Sequence, residues 1–69
     1  MTGKEVKAAF MEECPVVHGG ITYQKISAII YRKAAGGGIY IQAELLDRSG
    51  HSVTIAAAGR VERGKDREI

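Results

Sequence analysis

Gly36-Gly37-Gly38-Ile39-Tyr40-Ile41-Gln42-Ala43-Glu44-Leu45-Leu46-Asp47-Arg48-Ser49-Gly50-His51-Ser52-Val53-Thr54-Ile55-Ala56 is the stretch that decides the fold. Ile39, Ile41, Ala43 and Leu45 alternate with Tyr40, Gln42 and Glu44, the period of a strand with one face buried. Asp47-Arg48-Ser49-Gly50 reads as a turn, because the Asp47 carboxylate can bond the backbone ahead and Gly50 can take the left-handed conformation. Ser52 to Ala56 returns as a second strand, with Val53 and Ile55 expected inward. Upstream, Ala34 to Gly38 forms the flexible tip of another hairpin.

The partner strand of that hairpin is Ile21 to Lys33, rich in β-branched and aromatic residues. Its alternation slips. Ile21 and Tyr23 share one parity, whereas Ile26, Ala28 and Ile30 share the other and are expected inward. A one-residue slip exchanges the faces of a strand, so a bulge or sharp bend is expected near Gln24 and Lys25. Before it, Pro15-Val16-Val17 is a brief extended piece closed by the turn His18-Gly19-Gly20.

At the N-terminus, Thr2-Gly3-Lys4-Glu5 fits a capping box, in which the Thr2 hydroxyl accepts from Glu5 and the Glu5 carboxylate reaches back to Thr2. Val6, Ala9, Phe10 and Cys14 follow at helical spacing, and Pro15 disfavours helical geometry at Cys14. This predicts an amphipathic helix over about residues 3–13, too short to be stable alone and therefore docked. After the second hairpin, Ala57-Ala58-Gly59 suits a tight turn and Val61 a last short strand. Residues 64–69 are expected to form a polar, frayed tail.

The order of elements implies a mostly β, α+β chain with one small domain over residues 1–63, its strands lying within 15–63. A bent second strand, consecutive hairpins and a tight turn before a final stub resemble a small SH3-like antiparallel barrel of about five short strands, preceded by a helix. An open three-stranded antiparallel sheet with the helix on one face is the structural alternative. Ile26-Ser-Ala-Ile-Ile-Tyr-Arg and the segment from Ala43 to Ala56 also resemble small uncharacterised bacterial proteins encoded in phages and prophages. That resemblance implies a genomic setting and no activity.

Composition narrows the functional classes. A chain of 69 residues buries only about 60 % of its unfolded surface, so packing quality or self-association must support it. Cys14 is the lone cysteine and cannot pair within the chain; with His18 and His51 it offers no zinc-ligand spacing. One cysteine and no recognisable signal peptide point to the cytoplasm, and no apolar run is long enough to span a membrane. The net charge is +2, which permits an anionic partner without arguing for one.

Chemistry-bearing candidates are few. Cys14, His18 and His51 could form a nucleophile and base only if brought together in space, and no third orienting group is identifiable. Glu44 faces away from Ala43 and Leu45, and Asp47 already has a role in its turn. Gly36 to Gly38 lead into a strand rather than a helix, so they do not form a phosphate loop. No cofactor, metal, small-molecule substrate or enzymatic activity is expected.

Three tyrosines remain. Tyr31 and Tyr40 flank one hairpin tip and are expected to share its outward face beside cationic side chains. The candidate binding face is therefore Lys25, Tyr31, Arg32, Lys33, Tyr40 and Arg48. Such a face, or a free sheet edge, suits contact with a protein partner or with a second copy in a homodimer. The alternative is nucleic acid, stacked on tyrosines between lysines and arginines.

Overall fold

A computed structural model of the protein describes residues 1–64. Its elements run α1 (Gly3–Glu12), β1 (Val16–His18), β2 (Ile21–Tyr23), β3 (Lys25–Lys33), β4 (Ile39–Leu46), β5 (Val53–Ala57), a 3-10 turn (Ala58–Arg60) and β6 (Glu62–Arg63). The strands form two three-stranded antiparallel sheets, in the orders β2-β1-β6 and β3-β4-β5. The barrel expected from the sequence is not closed; the alternative of an open three-stranded sheet with the helix on one face describes β3-β4-β5, and a second small sheet adjoins it. Among the described residues the strands number six rather than about five, because the chain leaves one sheet and enters the other at Gln24. There the Gln24 amide donates to the Leu46 carbonyl at 2.8 Å.

The helix forms as its sequence dictates. Thr2 is the N-cap: its hydroxyl accepts from the Glu5 amide at 3.2 Å, while the Glu5 carboxylate accepts from the Thr2 amide at 2.8 Å. Glu13 ends the helix in the left-handed conformation, its amide reaching the Ala9 and Phe10 carbonyls. Val6 and Ala9 are fully buried, and Phe10 packs against the same cluster. Gly3 marks the closest approach, since a Cβ there would lie 2.7 Å from the Ile41 Cδ1 atom. The core is completed by Val16 and Tyr23 from one sheet, Ile26, Ala43, Leu45 and Ala56 from the other, and Val61 after the 3-10 turn. The Met1 ammonium donates to the carbonyls of Ala58 and Val61, holding that turn against the start of the helix.

Pairing assigns the faces of β3-β4-β5, because residues directly opposite in an antiparallel pair share a face. Ile26 faces Leu45 and Ile29 faces Ala43, with Ala56 beside Ala43; this is the inner face, under the helix. Between Ile26 and Ala28 the register shifts, so Ser27 is the extra residue of a bulge. Its hydroxyl donates to the carbonyl and carboxylate of Glu44, at 3.2 and 2.8 Å.

The observed pairing corrects several expectations, the first through the bulge. Ile26 is inward, but Ala28 and Ile30 are not: they lie opposite Glu44 and Gln42 on the outer face, and Ile29 takes the inward place. On β5, Val53 and Ile55 lie opposite Leu46 and Glu44, also on the outer face, and Thr54 and Ala56 turn inward. Ile39 has inward parity but lies beyond the reach of the core and is exposed. Gly64, placed by the sequence at the start of a frayed tail, is buried and donates to the Pro15 carbonyl at 2.9 Å. The rest of that expected tail, residues 65–69, lies outside the described residues.

Candidate functional site

The six residues of the expected binding face do not converge. Tyr31, Arg32, Lys33 and Tyr40 sit at the β3–β4 tip, where every residue from 31 to 40 except Ala34 is exposed. Lys25 lies at the opposite end of β3, opposite Leu46, and its ammonium pairs with Glu13 at 3.4 Å. Arg48 is in the β4–β5 turn at that same far end. Within the tip, Tyr31 lies opposite Ile41 and Tyr40 opposite Arg32, so the two tyrosines occupy opposite faces of the sheet. The expectation of one shared tyrosine face fails because the bulge at Ser27 reverses the parity of every later residue of β3. Arg32 donates from Nε to the Gln42 side-chain carbonyl, which holds it along the outer face.

The catalytic candidates are likewise held in separate places. Cys14 is buried at the helix end, where an Arg63 guanidinium nitrogen lies 3.0 Å from its Sγ and also pairs with Glu12 at 2.8 Å. His18 contacts the Arg60 carbonyl through Nδ1, across the end of β1. His51 sits on the β4–β5 turn, its amide bonded to the Ser49 hydroxyl. An open groove of about 500 Å³ between α1 and β6 is lined by Met1, Lys4, Glu5, Ala8 and Glu62 among others, and by none of these three. Among the described residues no group of three or more His, Cys, Asp or Glu side chains is placed to hold a metal ion, and no helix is long and apolar enough to cross a membrane.

The β4–β5 turn is tied by its own hydrogen bonds and is anionic at its first residue. The Asp47 carboxylate accepts from both the amide and the hydroxyl of Ser49, and these bonds hold its pKa below the ordinary aspartate value. Gly50 completes the turn at φ +79°, its amide on the Asp47 carbonyl.

What this turn delivers is β5, and β5 is where the surface is unusual. It is the last strand of its sheet, uncharged throughout, and exposes Val53 (49 %) and Ile55 (43 %) on the outer face. Half-buried Leu46, Ile30 and Ala28 add apolar surface to the same face, with Glu44 and Gln42 of β4 lying between the two β3 residues and β5. Backbone direction follows from the neighbours. The Leu46 carbonyl is taken by Gln24, on the β3 side, and the Asp47 amide bonds to Ser52, on the β5 side. Hydrogen-bonded and non-hydrogen-bonded pairs alternate along an antiparallel ladder. Ser52, Thr54 and Ala56 therefore bond to β4, whereas Val53, Ile55 and Ala57 turn their amides and carbonyls to the open side. Among the described residues none bonds to those outward groups. The sequence pattern placed Val53 and Ile55 in the core and so concealed this edge; the absence of any charge from Ser49 to Gly59 was the signal available.

Comparison with known proteins finds no matching family model, no similar curated protein and no similar solved structure.

Proposed function

We propose that this chain is a small, non-enzymatic binding module of the cytoplasm, of phage or prophage type, which acts by recruiting another polypeptide. The observation that carries the reading is the open β5 edge: outward amides and carbonyls of Val53, Ile55 and Ala57 beside the exposed apolar side chains of Val53 and Ile55. An extended segment laid along such an edge gains main-chain hydrogen bonds, and its alternate side chains meet the exposed face. The bend at Gln24, the successive hairpins and the 3-10 turn before β6 support an SH3-like strand plan, opened rather than closed. The phage or prophage setting rests on the sequence resemblance over Ile26–Arg32 and Ala43–Ala56.

Selection from a displayed library of random peptides tests the recruiting role. Extended apolar peptides are expected to be enriched on the wild-type chain and lost on Ile55→Lys; no enrichment on the wild type overturns the reading.

A second reading is nucleic-acid binding at the β3–β4 tip. It is favoured by Tyr31, Arg32, Lys33 and Tyr40 within a stretch, Ser27 to Ala43, that contains no acidic residue. Fluorescence anisotropy with labelled single- and double-stranded oligonucleotides at low salt decides it. Binding that falls steeply with added salt favours the nucleic-acid role, and no binding at tens of micromolar removes it.

A further inference from the structure

The sheet edges are guarded unequally. The outer edge of β3 carries Lys25, Arg32 and Lys33, β6 is two charged residues, and β2 is only three residues long. Charged side chains and short strands are the usual protection against edge-to-edge pairing. β5 has five residues, Val-Thr-Ile-Ala-Ala, with no charge, proline or glycine among them.

We infer that the polypeptide recruited by this edge is a second copy of the same chain, joined by antiparallel pairing of β5 with β5 about a two-fold axis at Ile55. The inference rests on reading β5 as a recruiting edge and names its occupant. The edge is complementary to itself. With the axis at Ile55, that residue faces Ile55 of the second copy, and Val53 faces Ala57. These are the residues whose backbone groups point outward, so each facing pair exchanges two hydrogen bonds, about six in all. Their side chains lie together on the outer face, so the seam also sets isoleucine against isoleucine about 5.5 Å apart at Cα, within packing distance.

Electrostatics favours the same occupant. A two-fold axis brings identical residues toward one another, so a charged edge strand repels its own copy. From Ser49 to Gly59 there is no lysine, arginine, aspartate or glutamate. A five-residue seam buries less than the roughly 1,200–2,000 Å² of a stable interface, so the dimer is weak.

Sedimentation equilibrium of the full chain between about 20 and 500 µM should show monomer giving way to dimer. Over the same range, amide exchange at Val53, Ile55 and Ala57 should slow several-fold, while Thr54 and Ala56, already bonded to β4, stay unchanged. Ile55→Lys and Ile55→Glu, each checked for folding by circular dichroism, should be monomeric alone and dimeric when mixed in equal amounts, because position 55 faces position 55. A wild-type chain still monomeric at the top concentration overturns self-pairing. So does a dimer whose exchange pattern does not alternate along β5, or one that Ile55→Lys leaves intact. If selected peptides bind the edge of a chain that stays monomeric, the recruiting role stands and the second copy is excluded. If neither peptide nor second copy binds, both readings fall.

Discussion

Leu45→Ala and Ile55→Ala test the assignment of faces, since the alternation in sequence places both residues inward and the structure separates them. Leu45 is fully buried on β4, whereas Ile55 is 43 % exposed on the outer face of β5. Each substitution deletes three carbons, worth about 2.4 kcal/mol of transfer free energy when wholly buried, at about 0.8 kcal/mol per methylene. For Leu45 a cavity adds to this, because the helix and both sheets close over the site, giving a loss of about 3 kcal/mol. For Ile55 roughly half of the transfer applies and no cavity forms, giving about 1 kcal/mol. A chain of 69 residues is expected to be stable by roughly 3.5–10 kcal/mol, so the first loss approaches the whole reserve and the second does not. Urea denaturation followed by circular dichroism at about 5 µM, where a weak dimer is dissociated, measures both. The melting point should fall by about 12–24 °C for Leu45→Ala and about 4–8 °C for Ile55→Ala. Equal losses, or a larger loss at Ile55, would refute the face assignment of β5.

Thr2→Ala removes the hydroxyl of the capping box and should cost about 1 kcal/mol, read as a lower urea midpoint at unchanged slope. Gly50→Ala forces a side chain into φ +79° and should cost about 1–2 kcal/mol. Gly36→Ala should change the midpoint little, because a Cβ there meets no neighbour and φ is not positive. Acid should weaken the fold through Glu5 and Asp47: hydrogen bonds from Thr2 and from Ser49 lower their folded pKa values below those of the unfolded chain. Their contribution is present at neutral pH and is lost as pH falls below the ordinary carboxylate range through the folded values. Melting points measured from pH 7 to pH 3 should decline at the acid end, and Asp47→Asn should make that decline shallower.

Local chemistry was legible wherever a few neighbouring residues settle it. The capping box at Thr2 and Glu5, the helix end enforced by Pro15 and the Asp47–Gly50 turn all depend on interactions within about four residues. Burial on β4 was legible too, because Ala43 and Leu45 lie on a strand that carries no bulge of its own. The alternation fails where a long-range partner decides. Nothing in Ile26-Ser27-Ala28 announces that Ser27 is the residue left out of register. That role follows from its hydroxyl finding the carbonyl and carboxylate of Glu44, seventeen positions away.

The same limit explains why the candidate site moved. Tyr31 and Tyr40 look like one surface when β3 is read as a continuous alternating strand, and a single extra residue puts them on opposite faces. The β5 edge was hidden for a related reason. Apolar residues at Val53 and Ile55 read as core because burial is the usual fate of a valine and an isoleucine two apart in a strand. Yet the inner face on that side is already occupied by Ala43, Leu45 and Ala56, all buried in the core cluster. With Val53 and Ile55 turned outward, their backbone groups point away from β4 as well, because one register sets both side-chain face and hydrogen-bond direction. A strand that is apolar on its exposed face, unbonded along its outer side and free of charge has lost the three devices that keep an edge solitary. In a chain too small for a deep core, that combination makes the edge the place where further burial is available.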